Sequence, residues 1–246
     1  MPSTNTRVAI ITGGSRGIGR ATALKLASQG HSVVVNYASN EKEAQSVVAE
    51  IAAPGGTAIA VQGDVADENA MAIVLDTAES EFGGVDVIVH AAGRMILGSV
   101  VDLDLAVLDS VHRTNIRGTF VVNQLGARKL RAGGAIVNFS TSVVGLAFPS
   151  YAAYSSSKGA VEALTMILAR ELRGRDVTVN VVAPGPTATD LFLDGKDAET
   201  IERLSKQPPL ERLGTPEDIA NVAAFLVSAE GHWINGQVIR ANGGII

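Results

Sequence analysis

The 246-residue chain contains no cysteine. That absence excludes disulfides, thiolate catalysis and cysteine-ligated metals, and it is compatible with a reducing cytoplasm. No stretch approaches the roughly eighteen uninterrupted apolar residues of a membrane-spanning helix. Lysine and arginine form no cluster, and the formal net charge is -5, which argues against a general affinity for nucleic acid. The four histidines, His31, His90, His112 and His232, are scattered without the spacing of metal ligands. No Pro-, Ser- or Gly-rich linker divides the chain, and no internal repeat is present. The polar stretch Met1 to Arg7 lacks the charged start and apolar core of a signal peptide. These absences predict a soluble cytoplasmic protein with no nucleic-acid or membrane partner and no metal, in which residues 1–246 form one domain.

What is present is a regular alternation. Apolar runs of strand length occur at Val8 to Ile11, Ser32 to Asn36, Ala58 to Val61, Val85 to His90, Ala135 to Phe139 and Thr178 to Val182, with a last one at Gln237 to Arg240. Between them, apolar residues recur every three to four positions over Gly17 to Gln29, Glu41 to Ala52, Glu68 to Phe82, Asp104 to Arg131 and Ala152 to Arg173. Near-continuous apolar strands alternating with amphipathic helices predict an α/β fold, a doubly wound parallel sheet of Rossmann-like form with helices on both faces. The least regular stretch is 184–209, expected at the carboxyl ends of the strands as a substrate lid.

Thr12-Gly13-Gly14-Ser15-Arg16-Gly17-Ile18-Gly19 follows the first strand and opens the first helix. Glycines there let the backbone turn sharply and approach a pyrophosphate at a helix N-terminus. The spacing differs from G-x-G-x-x-G, and a ligand-free glycine turn is the plainer reading of the loop by itself. Its place in the first strand–helix unit favours a dinucleotide. The second strand ends in Asn36-Tyr37-Ala38-Ser39-Asn40 without the acidic residue that binds an NAD ribose. With Arg16 in the loop, this favours NADP(H), with NAD(H) the alternative; Arg16 also reads as an ordinary solvated arginine at a helix start.

Tyr154 and Lys158 stand four residues apart, one helical turn, on a shared face. A lysine charge roughly 4 Å from a phenol is worth about 4 kcal/mol at an effective dielectric near 20, enough to bring the phenol toward neutral pH. Such a tyrosine serves as general acid or base. Taken alone, the pair equally suits a helix start with a buried aromatic and a solvated lysine.

Together these motifs resemble the short-chain dehydrogenase/reductase family in its simple form of about 250 residues, including its NADP-dependent 3-oxoacyl-reductase-like and glucose-dehydrogenase-like members. The likeness covers essentially the whole chain. Thr12 to Gly19 is similar to the family's cofactor loop, placing Gly13, Ser15, Arg16, Gly17, Ile18 and Gly19 at the cofactor, with Asn36 and Tyr37 beside it. Asp64-Val65 resembles the adenine-contacting pair. Asn115 in Thr114-Asn115-Ile116-Arg117-Gly118 matches the catalytic asparagine. Ser142, twelve residues before Tyr154, stands where the family carries its catalytic serine, although Ser140 is nearby. Asn180 to Gly185, with Pro184 and Gly185, resembles the segment that packs on the nicotinamide; Thr187 follows it and Thr189 matches the carboxamide-contacting threonine. After the fourth strand the family usually has Asn-Asn-Ala-Gly or Asn-Ala-Ala-Gly. Here His90-Ala91-Ala92-Gly93 stands instead, with Ala91, Ala92 and Gly93 expected at the cofactor and His90 expected to take over a structural hydrogen bond.

The resemblance implies an enzyme that interconverts a carbonyl and a secondary alcohol by hydride transfer. Tyr154 would move the proton, Lys158 would lower its pKa and bind the nicotinamide ribose, Ser142 would hold the carbonyl oxygen, and Asn115 would anchor a water for proton relay. A catalytically silent NADP(H)-binding sensor and an epimerase of the same family are the alternatives. Family likeness also implies a homotetramer, with Asp104 to Arg131 and Ala152 to Arg173 at one interface. Phe148, Pro149, Leu191, Phe192 and Leu193 read either as an apolar wall over a small-molecule carbonyl or alcohol substrate or as lid packing.

Overall fold

A computed structural model describes residues 6–246; the first five residues of the polar stretch from Met1 lie outside the described residues. Seven strands, β1 (Val8–Thr12), β2 (Ser32–Tyr37), β3 (Thr57–Gln62), β4 (Val85–His90), β5 (Leu130–Phe139), β6 (Val177–Pro184) and β7 (Val238–Ala241), form one sheet in the order β3-β2-β1-β4-β5-β6-β7. Every neighbouring pair is parallel. This is the doubly wound α/β sheet expected from the alternation.

The sheet is buried on both faces, which is why its strands read as continuous apolar runs rather than alternating ones. Along β1, Ala9 and Ile11 enter one core with Leu26, Val47, Ile51, Ile219 and Leu226. Val8 and Ile10 point the other way, into a second core with Met71, Leu75, Val122 and Leu125. The first core is closed by α1 (Gly17–Ser28), α2 (Glu41–Ala52) and, late in the chain, α10 (Pro216–Leu226). The second is closed by α3 (Glu68–Phe82), α5 (Gly118–Lys129) and α7 (Ala152–Glu171).

The segment expected as one helix from Asp104 to Arg131 is instead α4 (Leu105–His112), a π turn (Arg113–Arg117) and α5. Its last residues belong to β5, which begins at Leu130 and reaches β4 through an irregularity in register between Val85 and Val87. Apolar periodicity does not mark the π turn, because the segments on either side of it each keep a helical period and only the phase between them changes. Short helices α6 (Val143–Leu146), α8 (Asp190–Leu193) and α9 (Ala198–Ser205) complete the fold, the last two inside 184–209.

A buried amide pair fixes the helices that carry the site. Asn123 on α5 and Asn138 on β5 exchange reciprocal amide hydrogen bonds at 2.9 Å, and Asn138 also donates to Thr165 on α7 at 3.0 Å. Each group is satisfied, so the network sets the seat of both helices on the sheet without leaving an unpaired polar atom.

Candidate active site

The strand order reverses between β1 and β4, and beyond their carboxyl ends lies a groove of about 1540 Å³. Its floor is the turn from β1 into α1. Gly13 has φ +62°, and a Cβ there would lie 2.9 Å from the Ala92 backbone; one at Gly19 would meet the Gly13 carbonyl at 2.2 Å. The turn therefore needs glycine at both positions to bring chain against chain. Arg16 caps α1 with extended backbone and no side-chain hydrogen bond to the helix, so the first amides of α1 face the groove.

Gly13, Ser15, Arg16, Gly17, Ile18 and Gly19 all line this groove. So do Asn36, Tyr37, Asp64, Val65, Ala91, Ala92 and Gly93, and Thr189 closes its far end. Two of them are already committed within the protein. The Asn36 amide donates to the carbonyls of Val61 and Gly63, at 3.2 and 3.1 Å, tying β2 to β3. Asp64 pairs with Arg113 at 2.7 Å and accepts from the Ala66 amide. Burial pushes its carboxyl up, but the Ala66 amide and Arg113 outweigh that and hold it below the ordinary range. Arg113 and Arg94, both on the groove, were not signalled by the motifs. Arg16 is exposed and enters none of the ion pairs among the described residues.

His90 takes up a structural position as expected. Its Nδ1 lies 2.8 Å from the Thr12 hydroxyl, which also accepts from the Ala92 amide at 3.2 Å. The link ties the end of β4 to the end of β1. Burial, with a lesser push from the Lys158 charge, brings the imidazole down to about 3, so His90 is neutral.

Tyr154 and Lys158 are both buried on the first turns of α7. Lys158 Nζ donates to the Phe139 carbonyl at 2.8 Å and stands 5.9 Å from the centre of the Tyr154 ring. The expected lowering of the phenol by this ammonium is outweighed by enclosure. Burial pushes Tyr154 up to about 12, only partly offset by a hydrogen bond with the Thr141 side chain. Burial also brings Lys158 down to about 8. The shared helix face holds, yet enclosure disfavours charge on both groups and dominates.

Ser142 and Ser140 separate clearly. Ser140 donates to Glu162 at 2.6 Å, whereas the Ser142 hydroxyl accepts from Asn242 at 3.0 Å and reaches the Ala183 carbonyl only at 3.4 Å. Ser142, Tyr154 and Lys158 share one pocket of about 930 Å³. Asn115, in the middle of the π turn, lies behind it. Its amide accepts from the Arg94 backbone N–H and donates to the Arg94 carbonyl, both at 2.8 Å, and donates to Ser157 at 2.9 Å. These bonds use both Asn115 amide hydrogens and one lone pair of its Oδ1, and its backbone carbonyl accepts from Thr119 at 2.6 Å.

Pro184, Gly185, Thr187 and Thr189 form the opposite wall of the pocket. Thr189 caps α8 and Thr187 donates to the Gly185 carbonyl at 2.9 Å. Of the apolar residues read as a wall, Phe148, Leu191 and Phe192 line the pocket while Pro149 and Leu193 do not. Met95, Val143, Leu146 and Leu204 line it in addition and carry no motif that could have revealed them. Groove and pocket share Ile18, Ala91, Gly93, Thr189 and Leu191, so they form one continuous cleft.

A nicotinamide dinucleotide fits this cleft. A Cβ at Gly93 would stand 3.5 Å from Lys158 Nζ and 3.7 Å from Asn115 Oδ1, so the missing side chain keeps space open at the junction of groove and pocket. Arg16 and the α1 amides suit phosphate at one end, and the apolar pocket suits a ring at the other. Among the described residues no cluster of His, Cys, Asp or Glu is arranged to hold a metal, and no helix is long and apolar enough to cross a membrane.

Fold and cleft together define a parallel-sheet, dinucleotide-binding protein with an acid–base site at its switch point. A family model described as Enoyl-(Acyl carrier protein) reductase matches residues 13–246. A short-chain type dehydrogenase/reductase of Picea abies is 43% identical, over 97% of this chain and 92% of the relative. An NADPH-dependent aldehyde reductase 2, chloroplastic, of Arabidopsis thaliana is 40% identical, over 98% of this chain and 94% of its own. A short chain dehydrogenase from Burkholderia cenocepacia, solved in complex with NADP, superposes with a TM-score of 0.91 at 38% identity, covering 98% of both chains. The chain belongs to the short-chain dehydrogenase/reductase family, and it is an oxidoreductase.

Proposed function

We propose that this protein is an NADP(H)-dependent oxidoreductase that interconverts a carbonyl and a secondary alcohol, with Tyr154 as general acid and base. The observation that carries the reading is the meeting of Tyr154, Ser142 and Lys158 in one pocket continuous with the glycine-loop groove. When bound, NADP(H) supplies or accepts the hydride. Gly13 to Gly19 would hold its pyrophosphate at the N-terminus of α1, Asp64 and Val65 would border its adenine end, and Gly93, Pro184, Gly185, Thr187 and Thr189 would border its nicotinamide end.

Tyr154 keeps its proton across neutral pH and donates it to the carbonyl oxygen during reduction. Ser142 donates a hydrogen bond to the same oxygen, and Lys158 supplies the charge that stabilises the phenolate left behind. In the oxidation direction Tyr154 must first lose its proton, so oxidation is expected to speed up as pH rises.

Preference for NADP(H) is supported by Arg16 on the groove and by the lack of an acidic residue at the end of β2. Relatives named for NADPH and neighbours solved with NADP support the same choice. The segment 184–209, which supplies Leu191, Phe192 and Leu204 to the pocket, is the proposed substrate lid. A homotetramer is part of the proposal, supported by exposed Phe120 on α5 and Met166 and Ile167 on α7. A cytoplasmic location is part of the proposal, and the cysteine-free composition is compatible with it.

The test is turnover of a panel of ketones and aldehydes with NADPH by the wild type and by Tyr154→Phe. Wild-type turnover lost in the variant is the expected result. Full turnover by Tyr154→Phe would overturn the acid–base assignment.

A further inference from the structure

We propose that the substrate is an uncharged ketone or aldehyde with an apolar, ring-bearing body, an inference that rests on the carbonyl-reducing reading above. Among the described residues Lys158 is the only cationic side chain on the pocket wall, and its ammonium is turned onto the Phe139 carbonyl. Arg94 and Arg113 line the groove but not the pocket. Lys196 is the nearest lid cation in sequence to Phe192; it binds the Phe192 carbonyl and sits 4.6 Å over the Phe192 ring, outside the wall. A carboxylate or phosphate on the substrate body would lie against a mostly apolar wall with no free cation to pair with, which is unfavourable.

The remaining wall is apolar and partly aromatic. Val143 and Leu146 come from α6, Leu191 and Phe192 from α8, and Phe148 meets Tyr151 edge to face with centroids 6.0 Å apart. Such edges and faces suit a ring more than a flexible polar chain, because aromatic pairs add to the gain from burial.

A matched pair of substrates tests this: 4′-methylacetophenone and 4-acetylbenzoate share ring, ketone and size and differ in charge. With saturating NADPH, kcat/KM is expected to favour the neutral ketone by roughly a hundredfold or more, as an unpaired buried charge implies. Leu146→Arg, which places a cation on the wall, is expected to narrow that ratio at least tenfold, about the effect of one new ion pair. Equal or better turnover of 4-acetylbenzoate by the wild type overturns the substrate class while the carbonyl reading stands. If NADPH binds, shown by its fluorescence, and no ketone or aldehyde of the panel is reduced, the carbonyl reading falls and the substrate class with it.

We infer further that Asn242 is a positioning residue that sets the polarity of the Ser142 hydroxyl. It lies just after β7, a hundred residues from Ser142 in sequence. The Gly244 amide donates to Asn242 Oδ1 at 3.0 Å, which identifies the oxygen; Nδ2 then donates to Ser142 Oγ at 3.0 Å and to the Ile246 carbonyl at 3.2 Å. A Cβ on Gly185 would lie 2.8 Å from Asn242 Cα, so the backbone is held close against the end of β6. A hydroxyl has one hydrogen to donate. With Asn242 donating to it, Ser142 keeps that hydrogen for another acceptor, and the protein offers only the Ala183 carbonyl at a long 3.4 Å. The Ser142 proton is therefore available to a substrate oxygen.

Asn242→Asp keeps the shape and the acceptor for Gly244 but reverses the bond to Ser142, whose hydrogen is drawn to the carboxylate. At neutral pH the variant is expected to lose about tenfold or more in kcat, in line with loss of one oxyanion donor. NADPH affinity is expected to stay near wild type, while Tm falls modestly because the carboxylate also loses the donation to the Ile246 carbonyl. Combined with Ser142→Ala, the losses should not add, because both remove the same donated proton. Retention of more than half of kcat by Asn242→Asp overturns the inference, as does strict additivity with Ser142→Ala. Full activity of Ser142→Ala itself would instead remove Ser142 from the mechanism, and the role of Asn242 with it.

Discussion

His90 Nδ1 pairs with the Thr12 hydroxyl at 2.8 Å, while the enclosed His90 Nε2 finds no hydrogen-bond partner among the described residues. The ring is thus anchored on one side and starved on the other, beside the Lys158 charge. A proton on it would be costly.

Stability should therefore depend on pH through His90. In the unfolded chain the imidazole takes up a proton below its ordinary value near 6.5, whereas in the fold it does so only near 3. Between those values the unfolded state binds more protons, so stability falls as pH falls, by about 2 kcal/mol at pH 5. Chemical denaturation between pH 7 and pH 4 is expected to show that slope, and His90→Asn is expected to flatten it. An unchanged slope in the variant would assign the effect elsewhere.

Turnover should depend on pH through Lys158 rather than Tyr154. The ammonium is charged below about 8 and neutral above it, while the phenol holds its proton to about 12. Reduction is expected to run level below pH 8 and to decline as pH rises through that value, since the phenolate then forms without a neighbouring charge. Lys158→Met is expected to lower kcat by roughly a hundredfold or more and to abolish this limb. Stopped assays across pH 6 to 10 measure both.

Cofactor choice is tested at Arg16. Arg16→Ala should weaken NADPH by roughly ten- to a hundredfold, the worth of a charge-assisted contact to the extra phosphate, and leave kcat/KM with NADH nearly unchanged. A parallel loss with both cofactors would show that Arg16 serves the pyrophosphate or the loop.

Assembly is tested on the exposed faces of α5 and α7. Phe120 and Ile167 are 55% and 57% exposed, high values for large apolar side chains on packed helices. Phe120→Glu combined with Ile167→Glu is expected to lower the mass measured by light scattering from four protomers to fewer, with the circular dichroism spectrum retained.

Much of this was legible because the sheet is buried on both sides: β1, β2 and β4 are buried throughout and largely apolar, and a run of that kind leaves little freedom of interpretation. The glycine loop was legible for a steric reason, since Gly13 and Gly19 stand where any Cβ collides with backbone. Directions of side chains were not. Asn36 looks available to a cofactor in the sequence, but its amide is spent on β3. The charge of Lys158 was read from spacing alone, and spacing says nothing about enclosure, which decides the sign for Tyr154. One missed element did carry a signal. Thr215 and Asp218 form a reciprocal capping box with Pro216 between them, the mark of the start of α10. Asn242 carried none, because its partnership with Ser142 exists only after β7 has joined the sheet beside β6.

The π turn at Arg113–Arg117 has an evolutionary and engineering consequence. It is equivalent to a single inserted residue in an otherwise continuous α-helix, and the insertion rotates everything after it by about 100° relative to everything before. Asn115 sits at that discontinuity, holding Arg94 on one side and Ser157 on the other. Removing one residue from the turn would heal the helix and still leave a well-formed rod, but one facing of α4 or α5 would be wrong. The site is thus protected against tidy helical repair: its irregular turn is the phase shift that lets one rod serve two surfaces.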